Sequence, residues 1–247
     1  MYTYIRHPNR AFTLLELMVV MLVIGALAAL LLPGLAKQKG GGHSRIDCVN
    51  NLKQVGLSFR LWSGDNGYKY PMQVPAANGG PSQQAAIADG TGAAYIYQVF
   101  QVMSNELGTP KITSCRADER PVPTNFGGQF SELGNTSVSY FVGQNAAETN
   151  AAQYLAGDRN IGIKPANGWL GTDPDGGVTG FSPNSGAMGS YRSLTSHAKD
   201  PRLQWTDKMH HGGGNIALAD GSVQQYTSSR MRAGIPNGGD AGWTYFP

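Results

Sequence analysis

Apolar positions along the chain fall into three patterns. Residues 12–32 are apolar almost without a break, and from Cys48 onward apolar side chains recur at Leu52, Val55, Phe59 and Trp62, spacings of 4, 3, 4 and 3 that line one face of a helix. Beyond residue 110 the apolar runs shorten and are separated by Gly, Pro and Asn clusters, a β-type pattern. The first run, Phe12 to Leu32, has 21 residues. At a rise of roughly 1.5 Å per residue it would measure about 31 Å, close to the roughly 30 Å hydrocarbon core of a bilayer. The pattern predicts a membrane-spanning helix over 12–34, preceded by a short basic leader, Met1 to Arg10, and followed by one extracytoplasmic domain over 35–247.

Pro33-Gly34 and Gly40-Gly41-Gly42 predict a kink or local melting, since proline removes a backbone donor and each glycine costs about 1 kcal/mol relative to alanine. The stripe from Cys48 to Trp62 reads as core packing rather than a cofactor site, and Asp65-Asn66-Gly67 with Pro71 ends its helix. A surface loop is expected over 75–92. Ile96, Val99, Phe100, Met103 and Leu107, closed by Gly108 and Pro110, predict a helix over 93–107. Short β-favouring runs at 111–115, 137–142 and 154–157 predict strands of an antiparallel sheet. The clearest hairpin joins 215–219 to 222–226 through Asp220-Gly221, a pair that favours a type I′ turn. The fold class is α+β: a long N-terminal helix whose first half spans a membrane and whose second half packs on a C-terminal antiparallel β-sheet domain.

Glu16 sits inside the apolar run. A charge at mid-membrane costs on the order of 2.5–3.5 kcal/mol, less near the end of a span, so the residue asks for a partner. A cleavable signal peptide shares the basic start, Arg6 and Arg10, but has a shorter and uncharged core. A plain signal anchor accounts for length and charge bias but leaves Glu16 unexplained. A buried core helix does not account for the position at the start of the chain.

Ala11-Phe12-Thr13-Leu14-Leu15-Glu16-Leu17 resembles the processing site of type IV pilins and type II secretion pseudopilins. The resemblance implies a prepilin peptidase that cuts between Ala11 and Phe12 on the cytoplasmic side, which puts the leader's end at residue 11 and its span at 1–11, and methylates the new N-terminus. It also implies that Glu16 faces the Phe12 ammonium of a neighbouring subunit, making Phe12 and Glu16 the assembly residues. A buried carboxylate becomes tolerable in such a pair. Ala11 departs from the family's usual glycine, which predicts slower cleavage. His210, nine intervening residues and Asp220-Gly221 resemble a C-terminal signature of a large branch of pilin-like proteins, and Cys48-Val49-Asn50-Asn51-Leu52-Lys53 and Gly157-Asp158-Arg159-Asn160 add to the likeness. The implied shape is the pilin lollipop, and the implied partners are the peptidase, copies of the chain, other pseudopilins, the inner-membrane assembly platform and the membrane itself. The implied topology is single-pass, with a cytoplasmic N-terminus.

Composition adds limits. Of 19 Lys and Arg, Arg6 and Arg10 lie in the leader, so the remainder nearly balances 16 Asp and Glu and gives no basic footprint for nucleic acid. The two cysteines, Cys48 and Cys115, would face an oxidising compartment under this topology. Two readings stand: a disulfide closing a long loop, or two buried free thiols. His210 and Asp220 read either as part of a metal or assembly site, or as hairpin residues, with Asp220 forming the turn and His210 capping the hairpin's start alongside His211. One imidazole and one carboxylate fall short of a zinc or calcium ligand set. Asp173-Pro174-Asp175-Gly176 offers closely spaced carboxylates, the candidate calcium ligands being Asp173 and Asp175, although an ordinary acidic turn has the same composition. No catalytic triad or phosphate-binding loop is evident, and no enzyme is expected. The function expected is a filament subunit supporting secretion; the rival is a minor pilin-like binding module that displays Gly-rich segments at 75–92 and 165–190.

Overall fold

The computed structural model describes residues 13–36, 42–82, 95–163, 201–235 and 244–245. Ala11, Phe12, Asp173, Asp175 and the 165–190 segment lie outside them. The chain divides into two compact units, Met1–Gly40 and Gly41–Pro247.

In the first unit, helix α1 covers Leu14–Ala36. It runs through Pro33 and Gly34 without melting, because a proline removes one hydrogen bond while the residues behind it continue the helix; Gly40 and Gly41, the other expected interruption, lie outside the described residues. The described side chains of this unit, 13–27, are all exposed. Among the described residues no helix is long and apolar enough to cross a membrane.

The second unit opens with α2, Gly42–Asp65, whose stripe of Cys48, Leu52, Val55, Phe59 and Trp62 is buried as its spacing predicts. Phe59 packs edge-on against Tyr70 and Phe100 at 5.5 and 6.3 Å between ring centroids. Two short helices follow, α3 at Ile96–Val102 and α4 at Ser104–Leu107, with α5 at Gly128–Leu133. The helix expected over 93–107 is thus broken at Met103, which leaves helical geometry while staying fully buried.

Strands β1 (Tyr140–Gly143), β2 (Tyr154–Asp158), β5 (Gly214–Leu218), β6 (Val223–Tyr226) and β7 (Thr244–Tyr245) form one antiparallel sheet in the order β6-β5-β2-β1-β7. Strands β3 (Ile161–Ile163) and β4 (Leu203–Trp205) pair separately. Every residue of β2 and β5 is buried, because the sheet is covered on both faces. Tyr140, Val142, Leu155 and Ala217 join the α2 core; Phe141, Tyr154, Ile216 and Leu218 join a second core with Trp205, Tyr226 and Met231 of helix α6 (Ser228–Gly234).

The strand expected at 111–115 is instead a 3₁₀ turn, Pro110–Thr113, because Pro110 starts it and the Thr109 hydroxyl accepts from the Lys111 amide. The run at 137–142 begins as a second 3₁₀ turn, Gly134–Ser137, and becomes strand at Tyr140. The hairpin stands where expected, but its turn is not type I′. The Gly221 amide bonds the Leu218 carbonyl at 2.9 Å, the Leu218 amide bonds the Ser222 carbonyl at 2.8 Å, and Gly221 alone in the turn has positive φ, at 83°. That is a type I turn closed by a glycine bulge, which needs one left-handed residue rather than two.

Candidate functional site

The site assembles from four segments. Cys48 comes from the second turn of α2 and Cys115 follows the 3₁₀ turn; the two are bonded, with Cα atoms 5.3 Å apart across a sequence separation of 67. Of the two readings for these cysteines, the structure has the disulfide. Against it lies His210, whose Nε2 is 3.4 Å from Cys115 Sγ and 3.3 Å from Asp158 Oδ2. Asp158 is the last residue of β2, and all four side chains are buried.

Local structure explains how each group is held. Asp158 Oδ2 accepts from the Asn215 amide at 2.7 Å and from Asn215 Nδ2 at 2.8 Å, two bonds from the neighbouring strand that fix the carboxylate. A side chain in place of Gly157, just before it, would put its Cβ 2.6 Å from the Phe141 ring, so only glycine lets β2 lie flat there. His210 sits on a bent loop in which Met209 and His211 have φ of 63° and 51°, conformations that cost non-glycine residues about 1–3 kcal/mol each. The loop is over-determined by its anchors. Asn160 Nδ2 donates to the carbonyls of Lys208 at 2.8 Å, Gly213 at 3.1 Å and Thr206 at 3.3 Å, and Arg45 Nη2 donates to the His210 carbonyl.

Arg159, between those two residues, points elsewhere and grips Asp118 with a two-pronged ion pair of 2.7 and 2.6 Å. Burial pushes the Asp118 carboxyl up, but the hydrogen bonds and charge of Arg159 outweigh it and hold the group below its ordinary value. Burial and then the Asp158 carboxylate raise the Tyr140 phenol well above its usual range.

The expected pairing of His210 with the hairpin is therefore redrawn. His210 turns to Asp158, not to the hairpin's start, and His211 is exposed. Asp220 forms the turn, as one of its two readings holds: its Oδ1 accepts from the Ser222 amide at 2.8 Å. Gly221 rests on α2, where a Cβ on Gly56 would lie 3.8 Å from its Cα, and Tyr70 Oη donates to the Ala219 carbonyl at 3.1 Å. The two ends of the His210-to-Gly221 segment thus both reach α2, at Arg45 and at Gly56. Asp158 escapes sequence reasoning as the partner of His210; its place in the Gly157-Asp158-Arg159-Asn160 motif is the signal that could have singled it out.

Glu16 lies in the first turn of α1. Its Oε2 accepts from the Thr13 amide at 2.9 Å and the Thr13 hydroxyl at 3.1 Å, while Thr13 Oγ1 accepts from the Glu16 amide at 3.2 Å. This reciprocal arrangement is a capping box.

Residues 6–32 match the family described as the Prokaryotic N-terminal methylation motif. The match supports a type IV pilin-like or pseudopilin protein, and it implies processing by a prepilin peptidase, a membrane-anchored precursor and assembly into pilin-type filaments. No curated protein and no solved structure matches the chain.

Proposed function

We propose that this chain is a structural subunit of a type II secretion pseudopilus or a type IV pilus-like filament, cut before Phe12 and assembled through α1, with no catalytic role of its own. The observation that carries the reading is the methylation motif at 6–32 running into a helix whose described side chains are apolar and exposed apart from Thr13 and Glu16. Leu14, Leu22 and Met21 expose 76, 71 and 66% of their surface. A helix apolar on all sides needs cover, from lipid before assembly and from neighbouring copies of α1 afterwards. The α1 segment then spans the inner membrane once, with the N-terminus cytoplasmic and the second unit outside, where the Cys48–Cys115 bond can persist. Pairing of Glu16 with the Phe12 ammonium of an adjacent copy sets the axial register. Metal is not required for this role; Asp173 and Asp175 remain candidates for a calcium loop.

The test is N-terminal sequencing with mass measurement of the membrane-extracted protein. A start at N-methylated Phe12 is the expected result. An intact Met1 in cells with an active prepilin peptidase overturns the proposal.

A further inference from the structure

The buried cluster around the disulfide has more chemistry than a disulfide uses. One ligand atom from each of Cys48, Cys115, Asp158 and His210 lies within 4.8 Å of all the others, and every one of these residues is buried. A disulfide is neutral and needs neither an imidazole nor a carboxylate beside it. Burying an imidazole and a carboxylate is unfavourable unless they are used, and His210 Nε2 and Asp158 Oδ2 lie together beside the sulfurs.

We propose that, while its two cysteines are reduced, the chain binds one zinc-class divalent ion through Cys48, Cys115, His210 and Asp158. Ligand atoms about 2.0–2.3 Å from a tetrahedral zinc lie roughly 3.3–3.8 Å from one another. The separations of 3.4 Å from Cys115 Sγ to His210 Nε2 and 3.3 Å from His210 Nε2 to Asp158 Oδ2 already fall there. Two thiolates and an imidazole select zinc over calcium or magnesium, which take oxygen ligands. Four protein ligands leave no open position, so the site is structural, joining α2, the segment after the 3₁₀ turn, the end of β2 and the loop before β5. Its outer supports stand in place: Asn215 on Asp158, and Asn160 and Arg45 on the loop carrying His210. Binding displaces two thiol protons per ion and transfers no electrons. The S–S bond and the ion are alternative occupants of one place, and with both cysteines buried the choice falls as the chain folds.

The test uses the full chain in detergent, produced and purified with a phosphine reductant, loaded with zinc and desalted. Elemental analysis is expected to find one zinc per reduced chain and none on the chain oxidised to the disulfide. Cobalt in place of zinc should give thiolate charge-transfer absorption and tetrahedral visible bands. His210→Ala and Asp158→Asn should each weaken zinc by at least about tenfold against a chromophoric chelator. X-ray absorption on zinc-loaded wild type needs no variant and should show two sulfur and two lighter ligands. Equal zinc on the oxidised chain, no uptake by the reduced chain, full affinity in His210→Ala, or a shell without two sulfurs overturns the site.

Discussion

Glu16 has two physical roles open to it, and they make opposite demands on its chemistry. In the single chain it closes the capping box with Thr13, a task that glutamine performs as well because it needs only an acceptor oxygen. Pairing with the ammonium of another copy needs the negative charge. Glu16→Gln should therefore keep leader cleavage and the start of α1 while losing most filament yield, and Glu16→Ala should lose the cap as well, about 1 kcal/mol of helix stability. Sheared filaments quantified by electron microscopy and immunoblotting check this. Wild-type yield from the glutamine variant would leave capping as the only role of Glu16.

At the scale of elements, the His210-to-Gly221 segment works through where its ends land on α2. Gly221 is left-handed, and a Cβ there would meet Arg60 Nη1 at 3.1 Å, so Gly221→Ala should destabilise the second unit by about 1–3 kcal/mol, read as a lower urea midpoint of the full chain in detergent. Asp118→Asn strands the nearly buried Arg159 guanidinium and should lower the same midpoint by more, about 3–5 kcal/mol. The first of these changes falls on a residue that sequence alone picks out; the second does not. Helical spacing exposed the α2 stripe because that periodicity reports one buried face directly, and the Asp220-Gly221 pair marked the hairpin because turn chemistry is local. The 3₁₀ turn at Pro110–Thr113 carries β-favouring side chains that mimic a strand, although Thr109 and Pro110 set a helical start. The partnership of His210 with Asp158 is of another kind. It joins a loop residue to a strand end across the fold, and only the adjacency of β2 and β5, which no local pattern encodes, brings them to 3.3 Å.

For the molecule as a whole, the two units differ in what they do with apolar side chains: the second buries most of its own in two cores, while the described side chains of α1 are all exposed. Within the second unit the Cys48–Cys115 bond ties the beginning of α2 to a point 67 residues on. In the chain-entropy account a loop of that length is worth about 4 kcal/mol, through restriction of the unfolded chain. The double variant Cys48→Ser/Cys115→Ser, which leaves no lone thiol, should lower the unfolding free energy by about 2–4 kcal/mol relative to the oxidised chain, measured by urea titration in detergent. Wild type held reduced without metal should fall by a similar amount, since its loop is equally open. Reduced wild type with excess zinc should regain stability in proportion to the logarithm of zinc concentration, and the serine variant should not respond, because a ligand stabilises only the folded state that holds its site. An unchanged midpoint in the double serine variant would mean that the core closes the loop by packing alone, and that the buried sulfur pair contributes nothing to the fold.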